Sequence, residues 1–344
     1  MGKINKHIEI VSSSNKALSS MSEKSYKKIQ SELSKYYKTV GLTLVETEND
    51  LQQLIDKKPD VVFLGMKKVP RVATTENSSA FTWVSDFLES VSIPHTGSES
   101  SASIIEEDKS RAKKIVRKAG LNTAGHFMAY SGQFTNKSQI PLKFPLFLKP
   151  PNLGGGQGID DDSVVTNYKE YKQKINTLEE KFNSEALAEE YLTGREFTVA
   201  ILKNNKNEGY YTMPLEMIAE PGKNGVQILG SKVKNADTER VVIVNDEKIK
   251  NEITVLALNV FELLGARDYG RVDIRMNTEG VAQFLEINLI PSLIENYGNF
   301  QKACEKVSKI SYTDMLLMIV DLALNRSEIF QAQATDPQIE LATV

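Results

Sequence analysis

Residues 269–289 alternate apolar and polar side chains on both sides of the turn Asn277-Thr278-Glu279-Gly280, and this spacing constrains the fold more than any other stretch. The flanking runs Arg271-Val272-Asp273-Ile274-Arg275-Met276 and Val281-Ala282-Gln283-Phe284-Leu285-Glu286-Ile287-Asn288 predict a β-hairpin. Pairing Met276 with Val281 sets Arg271 across from Glu286 and Asp273 across from Phe284. Opposed residues share a face, and side chains alternate along each strand. Val272, Ile274, Met276, Val281, Leu285 and Ile287 then form a core face, while Arg271, Asp273, Glu286 and Asn288 gather on the other. A solvated sheet face with cross-strand ion pairs accounts for that pattern. Two carboxylates and an amide beside an arginine also suit Mg2+, which takes one or two carboxylates and completes its shell with phosphate oxygens.

The chain around the hairpin reads as α/β. Strand, helix, strand, helix and strand follow one another over residues 1–98, with strands at 7–12, 43–46 and 61–64 and a helix at 22–38. A serine-rich stretch then precedes one helix over residues 104–119. Further strands are expected at 145–150, 163–166, 186–191 and 196–202, helices at 168–182 and 252–264, and a closing helix at 311–325. These readings divide the chain into an N-terminal α/β domain (1–98), a central domain (99–187), a C-terminal domain (188–328) and a loose tail (329–344). A length of 344 residues suits roughly two or three domains.

Composition narrows the function classes. Lys+Arg is 42 against Asp+Glu 45, a net charge of −3, which speaks against a basic nucleic-acid-binding surface. The only cysteine, Cys304, has no internal partner and fits a reducing cytoplasm. His7, His95 and His126 are scattered and make no metal-binding spacing. The apolar run 315–320 stops at Asp321, too short for a membrane span, and residues 1–6 lead into no signal-peptide core.

Two further features carry chemistry. The loop Leu153-Gly154-Gly155-Gly156-Gln157-Gly158 lets backbone N–H groups approach phosphate, although a glycine-rich turn also explains it. No Gly-Lys-Ser/Thr follows, and the loop leads into a strand, so neither a Walker A loop nor a dinucleotide fingerprint fits. Lys149 at the preceding strand end reads as an edge charge or as a phosphate clamp. Lys109 falls at the i+4 position from Ile105, on a stripe with Ala112, Val116 and Ala119. It reads as a snorkelling lysine or as a cation turned inward to an anion.

These pieces, taken in order, resemble the ATP-grasp superfamily and, within it, the D-alanine–D-alanine ligases. The resemblance rests on Pro94-His95-Thr96-Gly97-Ser98, Asp108-Lys109, Phe144-Pro145-Leu146-Phe147-Leu148-Lys149-Pro150 with its glycine loop, Glu189-Glu190-Tyr191-Leu192-Thr193-Gly194-Arg195-Glu196, Gly270-Arg271-Val272-Asp273 and Leu285-Glu286-Ile287-Asn288. It implies an ATP-grasp fold behind an N-terminal α/β domain. It implies that Lys109, Lys149, Gly155 and Gly156 hold the ATP phosphates. Glu189, Glu190 and Leu192 would serve the adenine side and Glu196 the ribose. Asp273, Glu286 and Asn288 would hold two Mg2+ ions, with Mn2+ as an alternative. Arg271, Lys232 of a covering loop and the Gly156 backbone would be the catalytic groups. A substrate carboxylate would take the γ-phosphate to give an acylphosphate, which an amine attacks to form an amide. The resemblance also implies small amino-acid-like substrates and a homodimer.

The amino-acid side departs from the family. Where the family has Gly-Gly-x-Ser-x-Glu, this chain has Val11-Ser12-Ser13-Ser14-Asn15, and its nearest remnant is Ser22-Glu23. The family's glycine-loop serine is Gly155, and the tyrosine after the loop lysine is Val233. Gly65-Met66-Lys67-Lys68 stands in place of a His-Gly-x-x-Gly-Glu-Asp-Gly segment, and Asn288-Leu289-Ile290-Pro291-Ser292 in place of Asn-x-x-Pro-Gly. Ligases for L-amino acids or for a specialised metabolite, and a nucleotide-binding protein without catalysis, stand as alternatives. A nicotinamide-dependent oxidoreductase would rest only on the α/β start and the glycine loop.

Overall fold

The computed structural model describes residues 2–15, 17–19, 21–71, 80–206, 209–222, 226–230 and 238–335. A parallel sheet needs strands covered on both faces, and β1 (Ile4–Ser12) supplies one, buried from Ile8 to Ser12. The helix α1 (Glu23–Leu33) leads to β2 (Tyr37–Leu44), and α2 (Leu51–Asp56) to β3 (Val61–Leu64), in a parallel sheet ordered β2-β1-β3. α1 is shorter than its sequence pattern suggests. Tyr37, expected on the helix, opens β2 and bonds Asp321 through its hydroxyl at 3.1 Å, because Thr39-Val40-Gly41 favours strand over helix. A short antiparallel pair, β4 (Lys68–Pro70) and β5 (Phe81–Trp83), and α3 (Val84–Ser90) follow.

The helix expected over 104–119 is two helices, α4 (Ser100–Glu107) and α5 (Lys109–Lys118). Asp108 breaks them: at φ −109° and ψ 89° its side chain accepts the Arg111 N–H and caps α5. Next comes an antiparallel sheet of β6 (His126–Ala129), β7 (Leu146–Lys149), β8 (Val164–Val165) and β9 (Ala186–Glu190), in the order β6-β9-β7-β8. α6 (Tyr168–Phe182) covers one face of it with Tyr171, Ile175 and Leu178.

The third sheet is antiparallel, ordered β12-β11-β10-β13-β14. Its strands are β10 (Glu196–Lys203), β11 (Tyr210–Ile218), β12 (Arg240–Ile243), β13 (Tyr269–Met276) and β14 (Ala282–Asn288). α7 (Glu247–Leu263), capped by Asp246, covers one face. The other face joins the first sheet, α8 (Asn299–Ser308) and α9 (Tyr312–Thr335) in one apolar core. α9 runs ten residues past Asn325, since that extension lacks Gly and Pro and carries helix formers such as Ala and Gln. The first part of the stretch expected as a loose tail is therefore helical, and residues 336–344 lie outside the described residues.

The hairpin forms, with a register corrected at two points. Met276 pairs with Ala282 and Ile274 with Phe284, one step away from the expected pairing. A bulge at Leu285 then adds a second step, so Asp273 faces Glu286 and Arg271 faces Asn288. Phe284 and Ala282, not Leu285 and Val281, thus enter the core.

Candidate active site

Because the two offsets cancel in parity, the four polar residues still share one face. Arg271 grips Asp273 bidentately, with Nε and Nη2 each donating at 2.9 Å. Thr198, opposite Asp273 on β10, donates to Oδ1 at 2.7 Å, and Asn288 donates to Oδ2 at 3.3 Å. Burial works against the Arg271 charge, but Asp273 and Glu286 outweigh it and hold the guanidinium cationic.

The start of α5 reaches this cluster. Lys109 Nζ lies 3.7 Å from Glu286 Oε2 and donates to the Leu153 carbonyl at 2.8 Å, which places the amine between the hairpin and the glycine loop. Burial pulls the Lys109 ammonium below its ordinary value, with Glu286 opposing. In the loop, Gly155 and Gly156 have φ of +63° and +77°.

A second cluster sits on the four-stranded sheet. Glu189 of β9 is buried between two lysines, with Lys113 Nζ 3.1 Å from Oε1 and Lys149 Nζ 3.1 Å from Oε2. Burial disfavours the Glu189 carboxylate, but the two ammonium groups outweigh it and keep it below the ordinary carboxyl range. The same carboxylate, with Glu286, raises Lys149 against its burial. Lys113, wholly enclosed, is pushed down to about 8 by burial.

Not every expected residue joins these clusters. Glu190 alternates to the other side of β9, where it is exposed and accepts the Gly125 N–H at 2.8 Å. Leu192 is buried in the link from β9 to β10. Glu196 opens β10 and pairs with Arg275 at 3.1 Å. Lys232 and Val233 lie outside the described residues. Ser22 caps α1, and Glu23 pairs with exposed Lys27, so that remnant has a local helical role. Lys113, Thr198 and Arg275 were missed, although Lys113 carries a signal: a lysine four residues after Lys109, beside buried Ala112.

The donor set fits a hard divalent cation: Asp273 and Glu286 are directly opposed carboxylates, and Asn288 adds an amide oxygen. Among the described residues, no group of three or more His, Cys, Asp and Glu side chains gathers as a metal centre, and this set holds two carboxylates and an amide. No helix among the described residues is long and apolar enough to cross a membrane.

Comparison with known proteins agrees with the geometry. A family model described as "D-ala D-ala ligase C-terminus" matches residues 115–321. The D-alanine–D-alanine ligase of Aquifex aeolicus is 30% identical over 267 residues, which cover 76% of this chain and 84% of that protein. D-alanine–D-alanine ligase A of Bacillus cereus is 28% identical over 291 residues, covering 84% and 88%. The crystal structure of the Bacillus anthracis D-alanine–D-alanine ligase complexed with ATP superimposes with a TM-score of 0.69 at 21% identity, covering 95% of this chain and all of that one. The fold is the ATP-grasp fold, and the chain belongs to the D-alanine–D-alanine ligase family.

Proposed function

We propose that this chain is an ATP- and Mg2+-dependent ligase that joins the carboxylate of one amino-acid-like substrate to the amine of another, as a D-alanine–D-alanine ligase does. One observation carries the reading: Arg271, Asp273, Glu286 and Asn288 share one face of the β13/β14 pair, and Lys109 links that face to the glycine loop. Two divalent ions, Mg2+ or Mn2+, and a homodimer complete it.

Asp273, Glu286 and Asn288 would hold the metal, which when bound supplies charge neutralisation on the triphosphate. Lys109, beside Leu153, and Lys149, kept charged by Glu189, would hold phosphate oxygens. Glycine-loop N–H groups of Gly155 and Gly156 would close over them and exclude water from the acylphosphate. Arg271 stays cationic and is fixed in orientation by Asp273, so it stabilises negative charge on the transferring phosphoryl group and on the tetrahedral oxyanion. Glu189 would accept from the adenine amino group, Leu192 line the ring, and Glu196 bond the ribose, while Glu190 faces away.

A second reading concerns the substrate. Both Glu46 oxygens accept from the serine loop, from Ser13 Oγ at 2.7 Å and from Ser14 N–H at 2.7 Å. Residues 11–15 hold no acidic side chain, so a substrate ammonium must find its carboxylate elsewhere in the chain.

An ADP-release screen over pairs of D- and L-amino acids, with mass detection of the product, tests the activity. Glu286→Ala is expected to lower ADP release by about 10²–10³-fold with an unchanged melting temperature, as its side chain faces the site rather than the core. Unchanged turnover removes the metal assignment.

A further inference from the structure

Glu106 and Lys109 stand three residues apart across the break between α4 and α5. Lys109 turns to Leu153 and Glu286. Glu106 approaches the same region from α4, which packs against β14, the strand of Glu286 and Asn288. Its side chain is only 8% exposed. Oε1 lies 2.7 Å from Lys67 Nζ, while Oε2 is buried and meets no hydrogen-bond donor among the described residues. The Glu106 charge also reaches Lys109 and Arg271, favouring the cationic form of each.

This arrangement breaks two local rules. A buried carboxylate oxygen without a donor is costly. An acidic side chain in the last turn of a helix also opposes the helix dipole. The adjacent Glu107 shows the structural alternative: it is 31% exposed and pairs at 2.6 Å with Lys68, whose ammonium lies over the Phe81 and Trp83 rings. That outer pair already ties α4 to β4, so the inner pair is not needed as a tether.

We infer that Glu106, oriented by Lys67, is the receptor for the substrate's ammonium group, its buried, unpaired Oε2 accepting from the α-ammonium of the amino acid whose carboxylate lies at Arg271. The inference rests on the ligase reading and names its amino-acid subsite. In an α-amino acid one carbon separates ammonium from carboxylate. A site that holds the carboxylate beside Arg271 and Lys109 therefore meets the ammonium within a few ångströms and requires an anion there. Asp273 is already bonded by Arg271, Thr198 and Asn288, and Glu286 faces Lys109. Glu46 is occupied on both oxygens by Ser13 and Ser14. Among the described residues, Glu106 offers a buried acceptor with no donor, held so that Lys67 occupies only its other oxygen. Such an acceptor discriminates strongly against an acid that lacks the amine, because that acid leaves it unpaired.

The test measures ADP release with the amino acid turned over fastest in the screen and with its deamino acid as carboxylate donors, each beside a fixed excess of an amino-acid amide, which supplies the attacking amine and has no free carboxylate to be phosphorylated. Wild-type enzyme is expected to prefer the amino acid by at least ~100-fold in kcat/KM. Glu106→Gln is expected to raise the amino-acid KM at least ~10-fold, to leave the ATP KM within about twofold, and to remove the preference over the deamino acid. Glu106→Asp, which keeps the charge, restores part of that preference. If Glu106→Gln loses its fold by circular dichroism, Lys67→Met carries the test, with the amino-acid KM rising against a constant ATP KM. An unmoved amino-acid KM, or an equal rise in both constants, overturns the proposal. A wild-type enzyme that releases ADP with no amino acid overturns the ligase reading and this inference with it. An active wild type with an unaffected Glu106→Gln overturns the inference alone.

Discussion

A wholly enclosed lysine needs partners that offset part of its desolvation, and Lys113 has three. It lies 3.1 Å from Glu189 Oε1 and donates to Thr123 Oγ1 at 3.1 Å and to the Phe284 carbonyl at 3.0 Å. It thereby connects the proposed adenine carboxylate to the strand that carries Glu286. Removing one member of a buried pair costs about 3–5 kcal/mol when the other is orphaned. Here Glu189 keeps Lys149 and the Phe284 carbonyl keeps Thr123, so Lys113→Met is expected to cost less, about 2–3 kcal/mol in urea unfolding. Its pH dependence has a definite sign. Burial pushes Lys113 from 10.5 down to about 8, so between those values the unfolded chain holds more protons than the folded one. This group therefore makes stability rise with pH across that window, having lowered it below about 8. Urea midpoints measured from pH 7 to 10 should lose that slope in Lys113→Met. A parallel pH dependence in both proteins would show that Lys113 titrates as an ordinary lysine.

At the scale of elements, the glycine loop can be divided by what a side chain would meet. Gly155 at φ +63° has open space around it, whereas a Cβ on Gly158, at φ +74°, would lie 2.6 Å from the Pro150 ring. A proline ring cannot rotate aside, and Pro150 directly follows Lys149 at the end of β7. Gly155→Ala is therefore expected to cost only the left-handed backbone, about 1–2 kcal/mol, and to leave the ATP KM within about threefold. Gly158→Ala should displace the strand end and raise the ATP KM by at least ~10-fold. Equal effects would mean that the loop does not lean on Pro150. This scale also separates what the sequence could disclose from what it could not. Alternation placed Arg271, Asp273, Glu286 and Asn288 on one face because an offset at the turn and a bulge at Leu285 restore the parity between them. The same two steps exchanged Leu285 for Phe284 in the core, which no spacing rule foresees. The α4/α5 break was missed because Asp108 was counted as helix interior rather than as a cap. Lys113 was missed because its partners lie as far as 171 residues away, and their approach is set by packing.

For the whole molecule, α9 decides how the N-terminal sheet is fixed to the C-terminal one. Arg326 bonds Asp268 at the entry to β13, and its Nη2 donates to the His95 carbonyl at 2.7 Å. Asp268 is 1% exposed and also accepts the Gly97 N–H at 2.9 Å, so helix, loop and sheet meet on one carboxylate. Arg326→Met leaves that carboxylate the Gly97 N–H as its donor among the described residues, with the Arg267 charge nearby, which should cost about 3 kcal/mol. Loss of this latch need not uncouple the two halves, because one apolar core runs from Ile10 and Phe63 through Tyr269 and Phe300 to Met315. The only tryptophan, Trp83 on β5, reports the N-terminal part, and circular dichroism reports the whole chain. In urea both signals are expected to shift to lower midpoints together in Arg326→Met, with coincident transitions. A tryptophan transition that separates from the circular dichroism transition would assign the coupling to Arg326 and Asp268 rather than to the shared core.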